Sequence, residues 1–157
     1  RVLSDPVAQE FKNKIDRIIL CSGKIYFELQ DRINELDIKN IHIVRIEQLY
    51  PFPYEALQEE LQEFKNCEIF WCQEEPKNMG AWQFVEQRIH RVLLKIGIEK
   101  NLHFIGRRAA ASPATGAFDR HLSNQKNIIR LATEAKIDEI ENEKSGVSLV
   151  KYKLPIE

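Results

Sequence analysis

Four short segments that are almost continuously apolar or β-branched predict four β-strands. They lie at Arg17–Cys21, Ile41–Ile46, Glu68–Cys72 and His103–Ile105, and the signal of the last is the weakest. Apolar runs of this length are typical of strands that are covered on both faces. The pattern therefore predicts a sheet that is buried between two layers.

Apolar residues between and after these segments recur with a period near 3.6, which predicts four amphipathic helices. The predicted core stripes are Ile25, Leu29, Ile33 and Leu36; Leu57, Leu61 and Phe64; Trp82, Val85, Ile89, Val92, Leu93 and Ile96; and Ile128, Ile129, Ala132 and Ala135. Alternation of strands and helices at this spacing predicts an α/β fold. Its sheet is mostly parallel and doubly wound, with helices on both faces.

The length of 157 residues fits one domain. We predict a linker from a preceding domain at 1–16, an α/β domain at 17–135 and a charged C-terminal extension at 136–157. The end of this extension, VSLVKYKLPIE, fits either an added edge strand or a disordered segment. The start of the chain, RVLSDPVAQEFKN, resembles the middle of a longer protein.

Charge and cysteine content narrow the class of protein. The net charge is −1, from 23 basic and 24 acidic residues, so no nucleic-acid or anionic-membrane partner is expected. No apolar run approaches the roughly 20 residues that span a bilayer. Cys21, Cys67 and Cys72 lie in or beside apolar runs, which favours buried thiols in a reducing compartment over a disulfide framework.

Polar residues of both charge signs follow the predicted strands. They are Ser22-Gly23-Lys24, Glu47-Gln48, Gln73-Glu74-Glu75 and Gly106-Arg107-Arg108. The carboxyl ends of parallel strands share one edge of a sheet, and open α/β sheets bind ligands outside that edge. The Ser22-Gly23-Lys24 turn fits neither phosphate-binding glycine motif, so a simple tight turn is favoured over a nucleotide site.

Two features of this edge allow a functional and a structural interpretation. Glu74 and Glu75 fit either a carboxylate pair for acid–base work or interface residues paired with arginines. The interface is favoured, because adjacent residues of a strand point to opposite sides. The small-residue loop 109–116 fits an effector or phosphate pocket as well as it fits a loop packed on a partner domain.

Self-contained catalysis and metal binding have little support in the sequence. No G-x-S-x-G motif occurs, and Ser22, Ser112 and His121 do not assemble into a triad from their spacing. The four histidines lack the spacing of a metal-binding helix, and Cys67 and Cys72 fall mostly within one predicted strand. We therefore predict no catalytic residue and no metal site in this chain.

Four motifs occur in a specific order: CSGKIYFEL from Cys21, VRIEQLYPFP from Val44, WCQEEPKNMGAW from Trp71 and GRRAAASPATG from Gly106. In this order and at these separations they resemble the C-terminal domain of the thiamine-dependent first component of the 2-oxoglutarate dehydrogenase complex. The resemblance covers about Arg1 to Ala135 and implies the fold of the transketolase C-terminal domain. The charged extension departs from the family pattern.

The resemblance implies a homodimeric enzyme that oxidatively decarboxylates 2-oxoglutarate with thiamine diphosphate and Mg²⁺. Such an enzyme passes the succinyl group to the lipoyl arm of the dihydrolipoyl succinyltransferase component in the citric acid cycle. In this family the cofactor lies between two other domains, so none is expected here. The location implied is the cytoplasm in a bacterium or the mitochondrial matrix in a eukaryote. A 2-oxoadipate dehydrogenase and a stand-alone α/β assembly module are the alternatives.

The resemblance also implies roles for residues at the carboxyl edge. The expected interface residues are Arg45, Glu47, Glu74, Glu75 and His121. Some family members respond to adenine nucleotides or acetyl-CoA away from the catalytic centre. The expected contacts to such effectors are Lys24, Arg45, Arg107, Arg108, Ser112 and Thr115.

Overall fold

The computed structural model describes residues 1–4, 11–98, 102–112, 116, 118–136 and 150–152. It contains one six-stranded sheet. The strands are β1 (Val2–Ser4), β2 (Arg17–Cys21), β3 (Ile41–Ile46), β4 (Glu68–Pro76), β5 (Leu102–Arg107) and β6 (Val150–Tyr152). The α-helices are α1 (Ile25–Glu35), α2 (Tyr54–Leu61), α3 (Trp82–Lys95) and α4 (Phe118–Thr133).

The strand order across the sheet is β1-β3-β2-β4-β5-β6. The four central strands run parallel, while β1 and β6 add antiparallel edges to β3 and β5. This arrangement confirms the predicted α/β class with a mostly parallel sheet. β1 lies in the segment 1–16, which was expected to be a linker. β6 is an edge strand, which was one of the two alternatives predicted for the end of the chain. The proposed domain boundaries themselves stay predictions.

Two strands are longer at their carboxyl ends than the sequence predicted. β4 continues past Cys72 to Pro76, with a shift in its pairing register to β5 between these two residues. Glu74 and Glu75 therefore lie on the strand and not after it. β5 likewise continues past Ile105 to Arg107.

The strands bury alternate residues in two separate cores, as period-2 geometry requires. Ile18 and Leu20 face the core that α2 and α3 cover, whereas Ile19 and Cys21 face the core under α1 and α4. Helices on both faces explain why the central strands read as continuous apolar runs. This confirms the sandwiched sheet.

The predicted helix stripes are buried, with two exceptions at helix ends. Leu36 is 42% exposed because α1 ends at Glu35 and the chain turns through Asp37, whose φ is +52°. Ile96 is only half-buried, directly after α3. The apolar period was therefore extended one residue too far in both helices.

All three cysteines are buried free thiols. Cys21 and Cys72 are direct neighbours on β2 and β4. Burial raises the pKa of Cys21 to about 12 and raises the pKa of Cys72 as well. These thiols are therefore protonated at neutral pH and are poor nucleophiles.

A buried polar contact joins β1, β3 and α2. His42 is fully buried on β3, and its Nε2 lies 2.6 Å from Oε1 of Glu60 on α2. The hydroxyl of Ser4 on β1 donates to the other carboxylate oxygen of Glu60. The hydrogen bond from His42 is the main cause that lowers the pKa of Glu60 below its ordinary value.

Replacement of Glu60 by glutamine is expected to destabilise the domain by about 1 kcal/mol at pH 7, because the charge-assisted bonds become neutral ones. A lowered folded-state pKa contributes stability above the ordinary value of 4.5, and this contribution is lost as the pH falls through the folded pKa. The gap between wild type and Glu60→Gln should therefore shrink below about pH 4.5. Urea unfolding from pH 3 to 7 measures it, with the exposed Glu59→Gln as control. A gap that does not change with pH would contradict this assignment.

Candidate functional site

The carboxyl ends of β2 and β4 form the switch point of the sheet. These strands are neighbours, but the chain leaves β2 towards β3 and leaves β4 towards β5 on the other side. Open α/β sheets bind ligands in the crevice at such a point. Here Nζ of Lys24, which follows β2, lies 2.7 Å from Oε1 of Glu74 on β4. An internal ion pair therefore bridges the switch point.

A second carboxylate extends this bridge onto the helices. Lys24 also pairs with Glu28 at 3.2 Å, and Gln125 of α4 donates to Glu28 at 2.8 Å. The hydrogen bond to Glu74 is the largest cause that raises the pKa of Lys24 above its ordinary value. Since the Lys24 side chain is 70% exposed, solvent screens these pairs. They orient the lysine more than they stabilise the fold.

Arg45 and Glu47 form a neighbouring group at the end of β3. Nε of Arg45 donates to Oε1 of Glu47 at 2.9 Å, and the backbone N–H of Gly23 donates to the same oxygen at 3.3 Å. The Arg45 guanidinium lies over the rings of Tyr26 and Phe27, 4.4 and 5.4 Å from their centroids. A carboxylate of the chain itself thus occupies the backbone donor at the entry to α1, where an anionic ligand would bind.

Gln73 organises the segment that carries Glu74. Its side chain is buried, and its Oε1 accepts hydrogen bonds from the Trp71 indole at 2.9 Å and from the Trp82 backbone at 3.0 Å. Its Nε2 donates to the carbonyls of Glu75, Pro76 and Met79 at 3.3, 3.2 and 2.8 Å. The hydrogen-bonding capacity of this amide is therefore directed at the end of β4, the turn that follows it and the start of α3.

Gly80 allows this turn to close around the Gln73 amide. Its φ is +66°, a region that favours glycine. A Cβ at this position would lie 2.9 Å from Nε2 of Gln73 and 2.9 Å from Oε2 of Glu75. The small residue is therefore needed for both the backbone conformation and the close approach.

The loop after β5 is fastened to this turn by Asn78. Its Nδ2 donates to the Ala110 carbonyl at 2.9 Å, and its Oδ1 accepts from the Ala110 N–H at 3.0 Å. The backbone N–H of Lys77 donates to the Arg107 carbonyl at 2.9 Å, and Nε of Arg107 donates to the Glu74 carbonyl at 2.8 Å. The two loops therefore form one connected surface.

The structure brings five of the ten predicted site residues into contact at this one edge. Lys24, Arg45, Glu47, Glu74 and Arg107 take part in the contacts above. Glu74 was expected to pair with an arginine at an interface; within this domain its carboxylate binds Lys24, and its interface role stays a prediction.

The remaining predicted site residues lie at exposed positions or outside the described residues. Glu75, Arg108 and Ser112 are exposed. His121 is exposed on the first turn of α4, and Thr115 lies outside the described residues. The functional roles proposed for all of these residues stay predictions.

Gln73 and Asn78 were not singled out by the sequence interpretation. A signal was present, since Gln73 stands two residues after a buried Trp and Asn78 lies between Pro76 and Gly80. A buried amide beside a Pro–Gly turn commonly binds turn carbonyls. The sequence interpretation considered the adjacent charges of Glu74 and Glu75 and did not consider the Gln73 amide.

The described residues contain no group of three or more His, Cys, Asp or Glu side chains that could hold a metal ion. Within the same part of the chain, no helix is long and apolar enough to cross a membrane.

The fold and the edge define a doubly wound α/β domain whose carboxyl ends carry an internally paired charge network. The chain belongs to the family described as 2-oxoglutarate dehydrogenase C-terminal, whose model matches residues 1–133. This confirms the resemblance and the transketolase C-terminal-like fold.

Curated relatives include proteins of Brucella anthropi, Brucella ovis and Brucella melitensis biotype 2, each named 2-oxoglutarate dehydrogenase E1 component. Each is 48% identical over 111 residues, which cover 70% of this chain and 11% of the relative. The chain therefore spans only a small part of the length of these relatives.

Proposed function

We propose that this chain is the C-terminal domain of the thiamine-dependent first component of a 2-oxoglutarate dehydrogenase complex. The whole enzyme decarboxylates 2-oxoglutarate oxidatively and passes the succinyl group to the lipoyl arm of its succinyltransferase partner. The observation that carries the proposal is 48% identity to E1 components named for 2-oxoglutarate, combined with the family match over residues 1–133. Those names favour 2-oxoglutarate over 2-oxoadipate as the substrate.

Thiamine diphosphate and Mg²⁺ belong, in this proposal, to other domains of the enzyme. The described residues do not fit the group, because they provide no cluster of metal ligands and two of their edge cations, Lys24 and Arg45, are already paired with carboxylates. We therefore assign this domain no chemical step. Its part is to hold the assembly together and to carry the effector contacts.

The carboxyl edge is the surface that we assign to assembly with the rest of the enzyme and with the second subunit. Because β1 runs antiparallel to β3, Arg1 lies at this edge, where its carbonyl accepts hydrogen bonds from the backbone of Glu47 and Gln48. Polypeptide that precedes Arg1 in the whole enzyme would join there. The assigned interface residues are Arg45, Glu47, Glu74, Glu75 and His121.

The same edge would take a phosphate-bearing effector such as an adenine nucleotide or acetyl-CoA. The assigned contacts are Lys24, Arg45, Arg107, Arg108, Ser112 and Thr115. In the structure the carboxylates of Glu74 and Glu47 already bind Lys24 and Arg45. A phosphate would have to compete with them, so effector affinity should rise when Glu74 or Glu47 is replaced by glutamine. Calorimetric titration of the full-length dimer with acetyl-CoA and AMP tests this assignment.

The experiment that tests the proposed function is a thiamine-dependent decarboxylation assay on the full-length protein. We expect turnover of 2-oxoglutarate well above that of 2-oxoadipate. We expect Glu74→Ala to lower activity chiefly through dissociation of the dimer, which sedimentation would detect, while the exposed Glu59→Ala on α2 leaves both unchanged.

Two other outcomes would revise the proposal. A Glu74→Ala enzyme that remains dimeric but loses turnover would place this carboxylate at the active site. Absence of activity on both substrates would favour the stand-alone assembly module.

A further inference from the structure

A groove between α1 and α4 lies on the surface of the domain, and one end of it, at Glu28 and Gln125, adjoins the Lys24 network at the carboxyl ends of the strands. It encloses a volume of about 590 Å³. Hydrogen bonds between the helices cross it at both ends: Gln125 to Glu28 at 2.8 Å, and Arg32 to Glu134 at 2.9 Å. The two helices are therefore held at a fixed spacing, and the groove between them is a built feature of the fold.

The two walls of the groove carry opposite charge. Glu28, Asp31 and Glu35 line the α1 wall at spacings of three and four residues, which places them on one side of the helix. Lys126 and Arg130 line the α4 wall four residues apart. Arg32 on the α1 side and Glu134 directly after α4 also line the groove and are paired with each other. The α1 wall therefore has a net acidic charge, and the α4 wall beside it has a net basic charge.

Charge on each wall is left over after the internal contacts are made. Glu28 is bound by Lys24 and Glu35 is bound by Arg32. Asp31 and Lys126, by contrast, are exposed and form no ion pair with any residue in the described part of the chain. The groove therefore offers one available charge of each sign.

An apolar strip accompanies these charges. Leu122 lines the groove and is 42% exposed, and Ile129 lines it on the same side of α4. A leucine side chain at this exposure gains free energy when another surface covers it.

We propose that this groove is a contact between two copies of the chain, packed across a two-fold axis that runs along the groove. A two-fold operation places α1 of one copy over α4 of the other, so that each acidic wall meets a basic wall and the arrangement occurs twice. A surface with two opposite walls is in this way complementary to itself. Asp31 of each copy then faces Lys126 of the other, and the Leu122 strips meet between them.

The groove is too small to hold two subunits together by itself. The facing stretches of α1 and α4 are about 15 Å long at 1.5 Å per residue, and two helices side by side are about 20 Å wide. The contact then buries roughly 300 Å² on each copy, well below the roughly 1,200 Å² in total that a stable dimer requires. The contact therefore adds to the larger subunit interface of the enzyme and rests, in that respect, on the function proposed above.

A charge swap in the full-length enzyme tests the proposal. Asp31→Lys and Lys126→Glu should each raise the dissociation constant of the subunits about tenfold, because each places like charges opposite one another at two equivalent positions. The double variant exchanges the two signs and restores complementarity, so its dissociation constant should return close to that of wild type. Sedimentation and subunit exchange between labelled populations measure both effects.

Matched controls use the same charge changes elsewhere on the surface. Glu59→Lys on α2 and Arg91→Glu on α3 affect exposed residues outside the groove and should leave association unchanged, singly and together. Circular dichroism melts verify that all variants fold.

Two results would overturn the proposal. Single variants that associate like wild type would show that the groove is not a contact. Weakened single variants that the double swap fails to rescue would show that Asp31 and Lys126 do not face one another across a two-fold axis. Decarboxylation is measured in parallel. An enzyme without 2-oxoglutarate activity refutes the proposed function, while the rescue pattern still decides the groove.

Discussion

Gln73→Ala is expected to lower the free energy of unfolding by about 4 kcal/mol, because each buried polar group left without its partner costs about 1–3 kcal/mol. The alanine variant leaves the Trp71 indole N–H and the Trp82 backbone N–H without their acceptor. It also removes the donor from three turn carbonyls. Part of this cost is recovered where water enters the loosened turn.

Urea unfolding followed by tryptophan fluorescence measures this loss, since both tryptophans of the chain contact Gln73. Gln83→Ala, at an exposed position on α3, is the matched control and should change stability by less than about 0.5 kcal/mol. A loss below about 1 kcal/mol for Gln73→Ala would mean that the turn does not depend on this amide.

Gly106→Ala is expected to cost about 2–3 kcal/mol, in the range of an overpacked core. A Cβ at Gly106 would lie 2.6 Å from Cζ of Phe104 and 3.0 Å from the carbonyl oxygen of Gln73. The Phe104 ring is fully buried and packs on Trp82 at a centroid distance of 5.0 Å, so it has little room to move. The carbonyl belongs to the neighbouring strand and is equally constrained.

Gly116→Ala supplies the control, because a Cβ at Gly116 would meet no atom within 4 Å. The combined variant Gly106→Ala, Phe104→Leu should lose less stability than the sum of the two single changes, since the shorter side chain relieves the clash. Strict additivity in thermal or urea unfolding would argue that Phe104 is not the obstacle.

The central strands could be predicted because their signal is local. The buried residues of β2 and β3 lie next to one another in the sequence, so an apolar run is enough to locate each strand. The extension of β4 could not be predicted in this way. Residues 73–76 are polar or proline, and they remain extended because the Gln73 and Arg107 side chains bind their carbonyls.

The three-residue strand β1 escaped prediction for a different reason. A segment of three residues is too short to show an alternation of apolar and polar positions. Its pairing with Val44–Ile46 also connects residues about 40 positions apart in the sequence. Long-range pairing of this kind depends on the finished sheet.

The charged edge was predictable, but its pairings were not. Residues that follow parallel strands must share an edge, which located Lys24 and Glu47 correctly, whereas Glu74 reaches the same edge from within β4. That Lys24 meets Glu74 depends on β2 and β4 being neighbours, and the strand order is not encoded in either segment.

The position of Arg1 has a consequence for how strongly the carboxyl edge needs to bind. In the enzyme proposed above, polypeptide that joins at Arg1 would begin beside Glu47 and Gln48 and would tether a neighbouring domain close to this edge. A short covalent tether of this kind gives the two surfaces an effective concentration in the millimolar range. Contacts that would be too weak between separate molecules would then suffice at this edge, which is consistent with its polar, solvent-exposed ion pairs.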